Sequence, residues 1–397
     1  MKVSDRIQAL QYSPIRKLSP YADAAKQRGV KVYHLNIGQP DIRTPDQVYE
    51  FLASITPGII AYGKSEGEPE LREACAQYLR KLGEPITAED VMITTGGSEA
   101  LQFLFWALCD EGDEAVITEP FYTNVRSFAG MAGVKLRTVT STLDEGFALP
   151  PIERFEEVIT PKTRMILLNS PNNPTGHIYT TAELEAILRL CEKHDLVLAV
   201  DEVYREFCYD GRPFSSILSF EAYKDRVVCV DSFSKRFSMC GARIGEIITR
   251  NHEILQQCLK LGQARLCPPV IEEGAAAAAL SAPDSYVEDV RRMYESRRDC
   301  IVSELRGIPG VRCTVPGGAF YLIAGLPVED AEDFCLFMLR DFSFNGATVM
   351  MAPANGFYLN PELGRNEVRL AYVLNEEDLR QAAGCLKAGL EAYHRRG

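Results

Sequence analysis

The sequence predicts an α/β fold: a large domain with a mostly parallel sheet covered by helices, plus a smaller α+β domain. Three observations carry this expectation. Short, almost continuously apolar runs alternate with helix-like stretches through the middle of the chain, and strands apolar on both faces belong to sheets covered on both sides. Those runs end in small or polar residues: Gly96-Gly97, Asn169, Asp201 and Ser232. Beyond about residue 285 the alternation gives way to a long charged helix and shorter elements. The expected division is 46–285 for the large domain, with 1–45 and 286–397 forming the small one.

Val91 to Thr95 reads as a buried strand, followed by Gly96-Gly97 and a helix from about Glu99 to Cys109. Glu114 to Thr118 is a second strand, broken by Glu119-Pro120. Arg164 to Asn169 is a third, broken by Ser170-Pro171, since proline cannot continue a central strand. Thr181 is the expected cap of an amphipathic helix reaching His194. Leu196 to Val200 is a fourth strand, ending at Asp201, and Val227 to Val230 is a fifth. The alanine-rich Gly274 to Leu280 reads as a close-packed helix. A helix from Ser285 to about Leu305 opens the second unit. Strands at Val311 to Val315, Gly317 to Ile323, Thr348 to Met351 and Glu367 to Tyr372 follow, with helices at Glu329 to Asp341 and at the C-terminus.

Composition excludes several function classes. A net charge of −12 argues against nucleic acid or an anionic membrane as the main partner. No apolar run approaches the ~20 residues of a membrane span, and the polar stretch from Met1 to Val30 has no signal-peptide core. None of the twelve cysteines forms a C-x-x-C pair, and Cys109, Cys191, Cys208 and Cys229 lie in apolar runs. Reduced, buried thiols and a cytoplasmic location are expected. Five histidines without an HxxxH or HExxH pattern give no reason to expect a metal site.

Lys235 is the most informative residue. It follows the fifth strand in a small-residue turn, Ser232-Phe-Ser-Lys235, and Arg243 comes eight residues later. A shielded lysine whose pKa falls can attack a carbonyl as the neutral amine. Hydroxyls and an arginine nearby suit a phosphate. Together they point to pyridoxal 5'-phosphate, which carries an aldehyde and a phosphate; taken alone, Lys235 reads as an ordinary surface lysine after a strand.

Other residues fall where α/β sheets bind ligands, at carboxyl strand ends. Gly96-Gly97-Ser98 before a helix offers free N–H groups to an anion. Asp201 would keep a pyridinium nitrogen protonated, or else cap the next segment or bind a metal. Tyr204 and Asn173, the latter in the rigid Ser170-Pro-Asn-Asn-Pro-Thr-Gly176 loop, would reach the ring oxygen; Tyr204 reads otherwise as a core aromatic. Arg369 sits on a strand expected to alternate. Facing inward it needs an anion such as a substrate carboxylate; facing outward it is a surface residue.

At these residues the chain resembles the class I and II aminotransferases, the fold-type I pyridoxal-phosphate enzymes related to aspartate aminotransferase. The motifs, in chain order, are Tyr62-x4-Gly67-x2-Glu70-Leu-Arg72, Thr94-Thr-Gly-Gly-Ser-Glu-Ala-Leu101, Asn172-Asn-Pro-Thr-Gly176, Asp201-Glu-Val-Tyr204, Ser232-x-x-Lys235-x7-Arg243 and the Arg369 strand. The resemblance spans roughly residues 30 to 390. It implies that Lys235 bonds the cofactor and shuttles the Cα proton. Gly97, Ser98, Ser232 and Arg243 would hold the phosphate, Tyr122 would stack on the ring, and Gly38 would let the N-terminal segment close over substrate. Tyr62 would reach the neighbouring subunit's phosphate, which implies a homodimer with shared active sites.

The implied reaction moves an amino group between an L-amino acid and a 2-oxo acid by a ping-pong mechanism, with aspartate and 2-oxoglutarate as the inherited pair. One aspartate-specific branch carries a lysine after the Gly-Gly turn; here that place is Ser98. Arg16, Arg126 and Arg265 are candidates for a distal carboxylate, with surface ion pairing as the alternative for each. A C–S lyase on the same fold is the second enzyme reading. A PLP-sensing regulator is disfavoured by the acidic charge and by the ~30 residues that precede the fold.

Overall fold

The computed structural model describes residues 2–396. Seven strands form the central sheet: β1 (Val91–Thr94), β2 (Glu114–Glu119), β3 (Lys135–Thr140), β4 (Thr163–Asn169), β5 (Val197–Asp201), β6 (Val227–Ser232) and β7 (Gly245–Ile248). Their order is β1-β7-β6-β5-β4-β2-β3. Only β7 runs against the others.

The apolar runs are explained by what each face meets. Val116, Ile166, Leu168, Leu198, Val200 and Cys229 face one core, while Ala115, Ile117, Met165, Leu167, Ala199 and Val228 face another. Successive strand residues point to opposite sides, so a strand buried on both sides has no polar positions to spare. Helices Pro69–Lys81, Thr181–His194 and Val270–Leu280 contribute to the first core, and Gly97–Leu108, Asn124–Ala132 and His252–Arg265 to the second.

A third core unites residues from both chain ends. Leu18, Ala22, Tyr33 and Leu35 pack with Tyr294, Phe320, Phe334 and Leu386. Strand Lys31–His34 pairs in parallel with Ala347–Met350. An antiparallel sheet orders Ala352–Pro353, Glu367–Ala371, Tyr321–Gly325 and Arg312–Cys313. The 23-residue helix Asp284–Arg306 bridges the two regions: Val287 packs against the sheet core and Val290 onward against this one.

Several boundaries differ from expectation. The helix after the glycine turn begins at Gly97, not Glu99, because Gly96 makes the turn as the cap and Gly97 is already helical. Thr180, not Thr181, is the cap of the next helix; its hydroxyl accepts from the Glu183 N–H and Glu183 reaches back, a capping box. The strand at Val311 to Val315 shrinks to Arg312–Cys313. Strands at Lys31–His34, Lys135–Thr140 and Gly245–Ile248 had no predicted counterpart. The first two are polar and partly exposed, so they lack the apolar run that marks a central strand. Glu367–Ala371 does not alternate: Val368 to Ala371 are all buried, because Ala352–Pro353 and Tyr321–Gly325 flank it and core packs on both faces.

β7 approaches the turn after β1 so closely that a Cβ on Gly245 would lie 2.4 Å from the Gly96 carbonyl carbon. Backbone cannot yield as a side-chain tip can. Gly245→Ala is expected to cost about 1–3 kcal/mol of unfolding free energy. Gly58→Ala, with nothing within 4 Å, is the control. Urea midpoints measure both, and equal midpoints would contradict the close approach.

Candidate active site

Register brings the chemically loaded strand ends together. Asn169 lies opposite Asp201, and Gly245 lies opposite both Thr94 and Ser232. A cavity of about 640 Å³ opens there, between the sheet and the antiparallel unit. Gly38, Gly97, Ser98, Tyr122, Asn173, Asp201, Tyr204, Ser232, Lys235, Arg243 and Arg369 all line it. Tyr62 does not: it is 81% exposed, beside the exposed Ile59 and Ile60.

Lys235 sits in the one-turn helix Phe233–Arg236 at the end of β6, capped by the Ser232 hydroxyl. Its Nζ donates to the Gly38 carbonyl at 2.8 Å and lies 3.9 Å from Cys240 Sγ. The expected fall in its pKa is not what the pocket produces. Burial lowers it, but Tyr321, Cys240 and Tyr122 together outweigh that and the net direction is up. The chain alone therefore favours the ammonium form.

Asp201 is half-buried at the end of β5, and its carboxylate accepts from the Val203 N–H at 3.2 Å. Burial, with Asp231 adding like charge, pushes its pKa to about 7; the Val203 N–H and Lys235 oppose this. Asn169 fastens the neighbourhood. Its amide donates to the Asp201 carbonyl at 2.8 Å and its oxygen accepts from the Asn173 N–H at 2.6 Å. Tyr204 Oη lies 3.0 Å from Tyr321 Oη.

The anion cradle is built from backbone. Gly96, at φ +78°, caps the 12-residue helix that starts at Gly97 and offers no side-chain cap bond, leaving the first N–H groups open. Arg243 adopts φ +57°, an uncommon conformation for a residue with a side chain. Its guanidinium lies where a Cβ on Gly96 would come within 2.4 Å. The Ser232 hydroxyl is engaged with Ile244 O at 2.9 Å and Ser234 Oγ at 2.8 Å, which leaves Ser234 as a further hydroxyl on the cavity wall.

Arg369 is 1% exposed. It donates to Asn173 Oδ1 at 3.2 Å and to the Asn36 carbonyl, and its Nε has no hydrogen-bond partner. Aromatic rings flank it: Tyr321 at 4.6 Å and Phe357 at 5.2 Å. Among the described residues it forms no salt bridge. Burial draws its pKa down, against the smaller opposite pull of Tyr321, Tyr204 and Tyr122.

Sequence reasoning put Asn169 at a strand end on the crevice without giving it a role, and missed Tyr321 and Asn36 as site residues. Tyr321 fills the space above Gly38, where a Cβ would fall 1.8 Å from its hydroxyl. Neither Tyr321 nor Asn36 stands in a spacing that marks it; their roles follow from contacts between distant segments. Of the three arginines considered for a distal carboxylate, Arg16 lines the cavity. Arg126 opens on an adjoining cavity of about 350 Å³, and Arg265 lies 3.5 Å from Glu99.

The sequence model of aminotransferase class I and II matches residues 30–386. An aspartate aminotransferase of Rhizobium meliloti (strain 1021) is 31% identical over 96% of this chain and 94% of its own length. An aspartate/prephenate aminotransferase of Thermus thermophilus is 33% identical over 96% of both. Among solved structures, an alanine aminotransferase from Pyrococcus furiosus superposes with a TM-score of 0.90 at 30% identity, covering 98% of this chain and 100% of that one. An aspartate aminotransferase from Thermus thermophilus with maleate gives 0.87 at 31% identity, with the same coverage.

The raised pKa of Asp201 has a stability consequence. An ordinary carboxyl titrates near 3.8, whereas the folded chain holds this proton to about pH 7. The folded state thus binds the proton more tightly than the unfolded one, so its contribution is present at low pH and is lost as pH rises through about 7. Cofactor-stripped protein is expected to lose melting temperature between pH 5 and 7.5 more steeply than cofactor-stripped Asp201→Asn. Parallel curves by calorimetry would contradict the assignment.

Proposed function

We propose, from the premise that this chain belongs to the class I and II aminotransferases and is a pyridoxal-phosphate-dependent aminotransferase, that Lys235 carries the cofactor and Arg369 takes the substrate α-carboxylate. The substrate pair in this reading is aspartate and 2-oxoglutarate, handled in two half-reactions by a ping-pong mechanism. Support for aspartate comes from relatives bearing that name. The observation that carries the reading is a buried guanidinium without a counter-ion, opening on the same cavity as the strand-end lysine.

The residues fit the cofactor. When bound, pyridoxal phosphate supplies an aldehyde for amine exchange and a ring that accepts the electron pair left at Cα. Asp201, with one N–H donor and a like-charged neighbour, is matched by a protonated ring nitrogen. The uncapped N–H groups at Gly97 and Ser98, with Ser232 and Arg243, would hold the phosphate. Tyr122 would stack on the ring, while Tyr204 and the free amide of Asn173 would hydrogen-bond its oxygen. Lys235, once displaced by the substrate amine, is placed to hold and return the Cα proton. Gly38 would let the N-terminal segment lie over the substrate.

Tyr62 would serve the site of a second copy in a homodimer; its exposure, and that of Ile59 and Ile60, support such a contact. No helix among the described residues is long and apolar enough to cross a membrane. Twelve unpaired thiols support residence in the cytoplasm.

Lys235→Ala is expected to keep the fold while losing the bound-cofactor absorbance shift and nearly all turnover. Normal turnover would remove Lys235 from the reaction. Arg369→Ala is expected to raise KM for both amino and oxo acid, by about 2–4 kcal/mol of lost charge-assisted pairing. Unchanged KM values would place Arg369 outside the site. Pyruvate and ammonia formed without an oxo-acid acceptor would contradict aminotransfer in favour of a lyase.

A further inference from the structure

We propose that Tyr321 is a positioning residue for the cofactor: its hydroxyl donates to Tyr204 and so turns the Tyr204 proton toward the ring oxygen of the bound cofactor. This rests on the reading above, in which Tyr204 bonds that oxygen. The two hydroxyl oxygens lie 3.0 Å apart, and both residues line the cavity. Neither hydroxyl has another hydrogen-bond partner among the described residues.

A hydroxyl carries one proton and accepts through its lone pairs. Within the pair one phenol donates and the other accepts, and only the accepting one keeps its proton for a third group. An anionic ring oxygen needs a donor. Tyr204 can therefore serve it while accepting from Tyr321, and not in the reverse arrangement. Tyr204 stays a phenol: burial raises its pKa, and the neighbouring Tyr321 raises it further. Accepting a hydrogen bond also polarises a hydroxyl into a stronger donor.

The surroundings fix Tyr321 in this place. It opens the strand Tyr321–Gly325, opposite Ala371, and is 2% exposed. Its ring stands at 90° to that of Tyr204, with centroids 5.5 Å apart. The Gly38 backbone lies so close that a Cβ there would fall 1.8 Å from the Tyr321 hydroxyl. The Arg369 guanidinium lies 4.6 Å from the ring centroid. The pair also joins two parts of the fold. Tyr204 follows β5 of the central sheet, whereas Tyr321 belongs to the antiparallel sheet that carries Arg369. The donor to the ring oxygen is thus set by the unit that also holds the α-carboxylate site.

The test is Tyr321→Phe, Tyr204→Phe and the double variant. Phenylalanine keeps the ring beside Arg369 and removes only the oxygen. The readouts are Kd for pyridoxal phosphate and the pH midpoint of the bound-cofactor absorbance change. Tyr321→Phe is expected to weaken cofactor binding by roughly 2- to 10-fold. It should also move the midpoint upward: an anionic oxygen with a weaker donor is less stable, so the proton held between it and the Lys235 nitrogen leaves at higher pH. Tyr204→Phe should shift both readouts further in the same direction. On the Tyr204→Phe background the Tyr321 substitution should add nothing. Unchanged or tighter binding in Tyr321→Phe would overturn the proposal, as would a loss that persists in full on the Tyr204→Phe background. If Tyr204→Phe itself moves neither readout, the reading of Tyr204 fails and the proposal with it. If Tyr204→Phe moves both and Tyr321→Phe neither, that reading stands and the role of Tyr321 alone falls.

Discussion

Buried charge without a built-in partner is the constraint on which this molecule turns. Arg369 is sealed among aromatic rings with two amide oxygens for company. Asp201 stands half-buried on the cavity wall at a strand end with one N–H. Arg369, left alone, costs several kcal/mol, and the half-buried Asp201 less. The two do not satisfy each other. A ligand carrying a cation for one and an anion for the other restores what burial removed, so binding and chemistry draw on the same deficit. An amino acid on a pyridinium cofactor has that charge pattern.

Holding such groups in place requires a stiff frame, and the sheet supplies it from its other face. Site residues have chain neighbours in a buried ion cluster: Asp201 precedes Glu202, Tyr204 precedes Arg205, Asp231 precedes Ser232, and Lys235 precedes Arg236. Arg205 bonds Glu202 at 2.9 Å and lies 3.3 Å from Asp231, while Arg236 bonds Asp231 at 2.9 Å. Within β6, Asp231 and Ser232 point opposite ways, so pinning Asp231 helps to orient Ser232. Unlike Arg369, this cluster is internally paired, which is why it reads as scaffold rather than as a binding site.

Most of the site was legible because its residues cluster locally at strand ends. Lys235, Asp201 and the Gly96-Gly97 turn each announce themselves within a few positions of an apolar run. Arg369 was half legible: its need for an anion followed from an inward orientation, but the strand proved buried throughout rather than alternating. Tyr321 meets Tyr204 across 117 positions and Asn36 meets Arg369 across 333, so no local pattern could reveal them. The direction of the Lys235 pKa depends on Tyr321 and Tyr122 converging from separate elements, and was misjudged for the same reason. Lys135–Thr140 escaped notice because an edge strand carries polar residues where a central one cannot.

The account depends above all on Lys235 forming the covalent link to the cofactor. Borohydride reduction of the purified holoenzyme, followed by digestion and mass spectrometry, tests this directly. A pyridoxyl adduct on Lys235, in the peptide spanning residues 226–243, is the expected result. No adduct, or one on a different lysine, would contradict it.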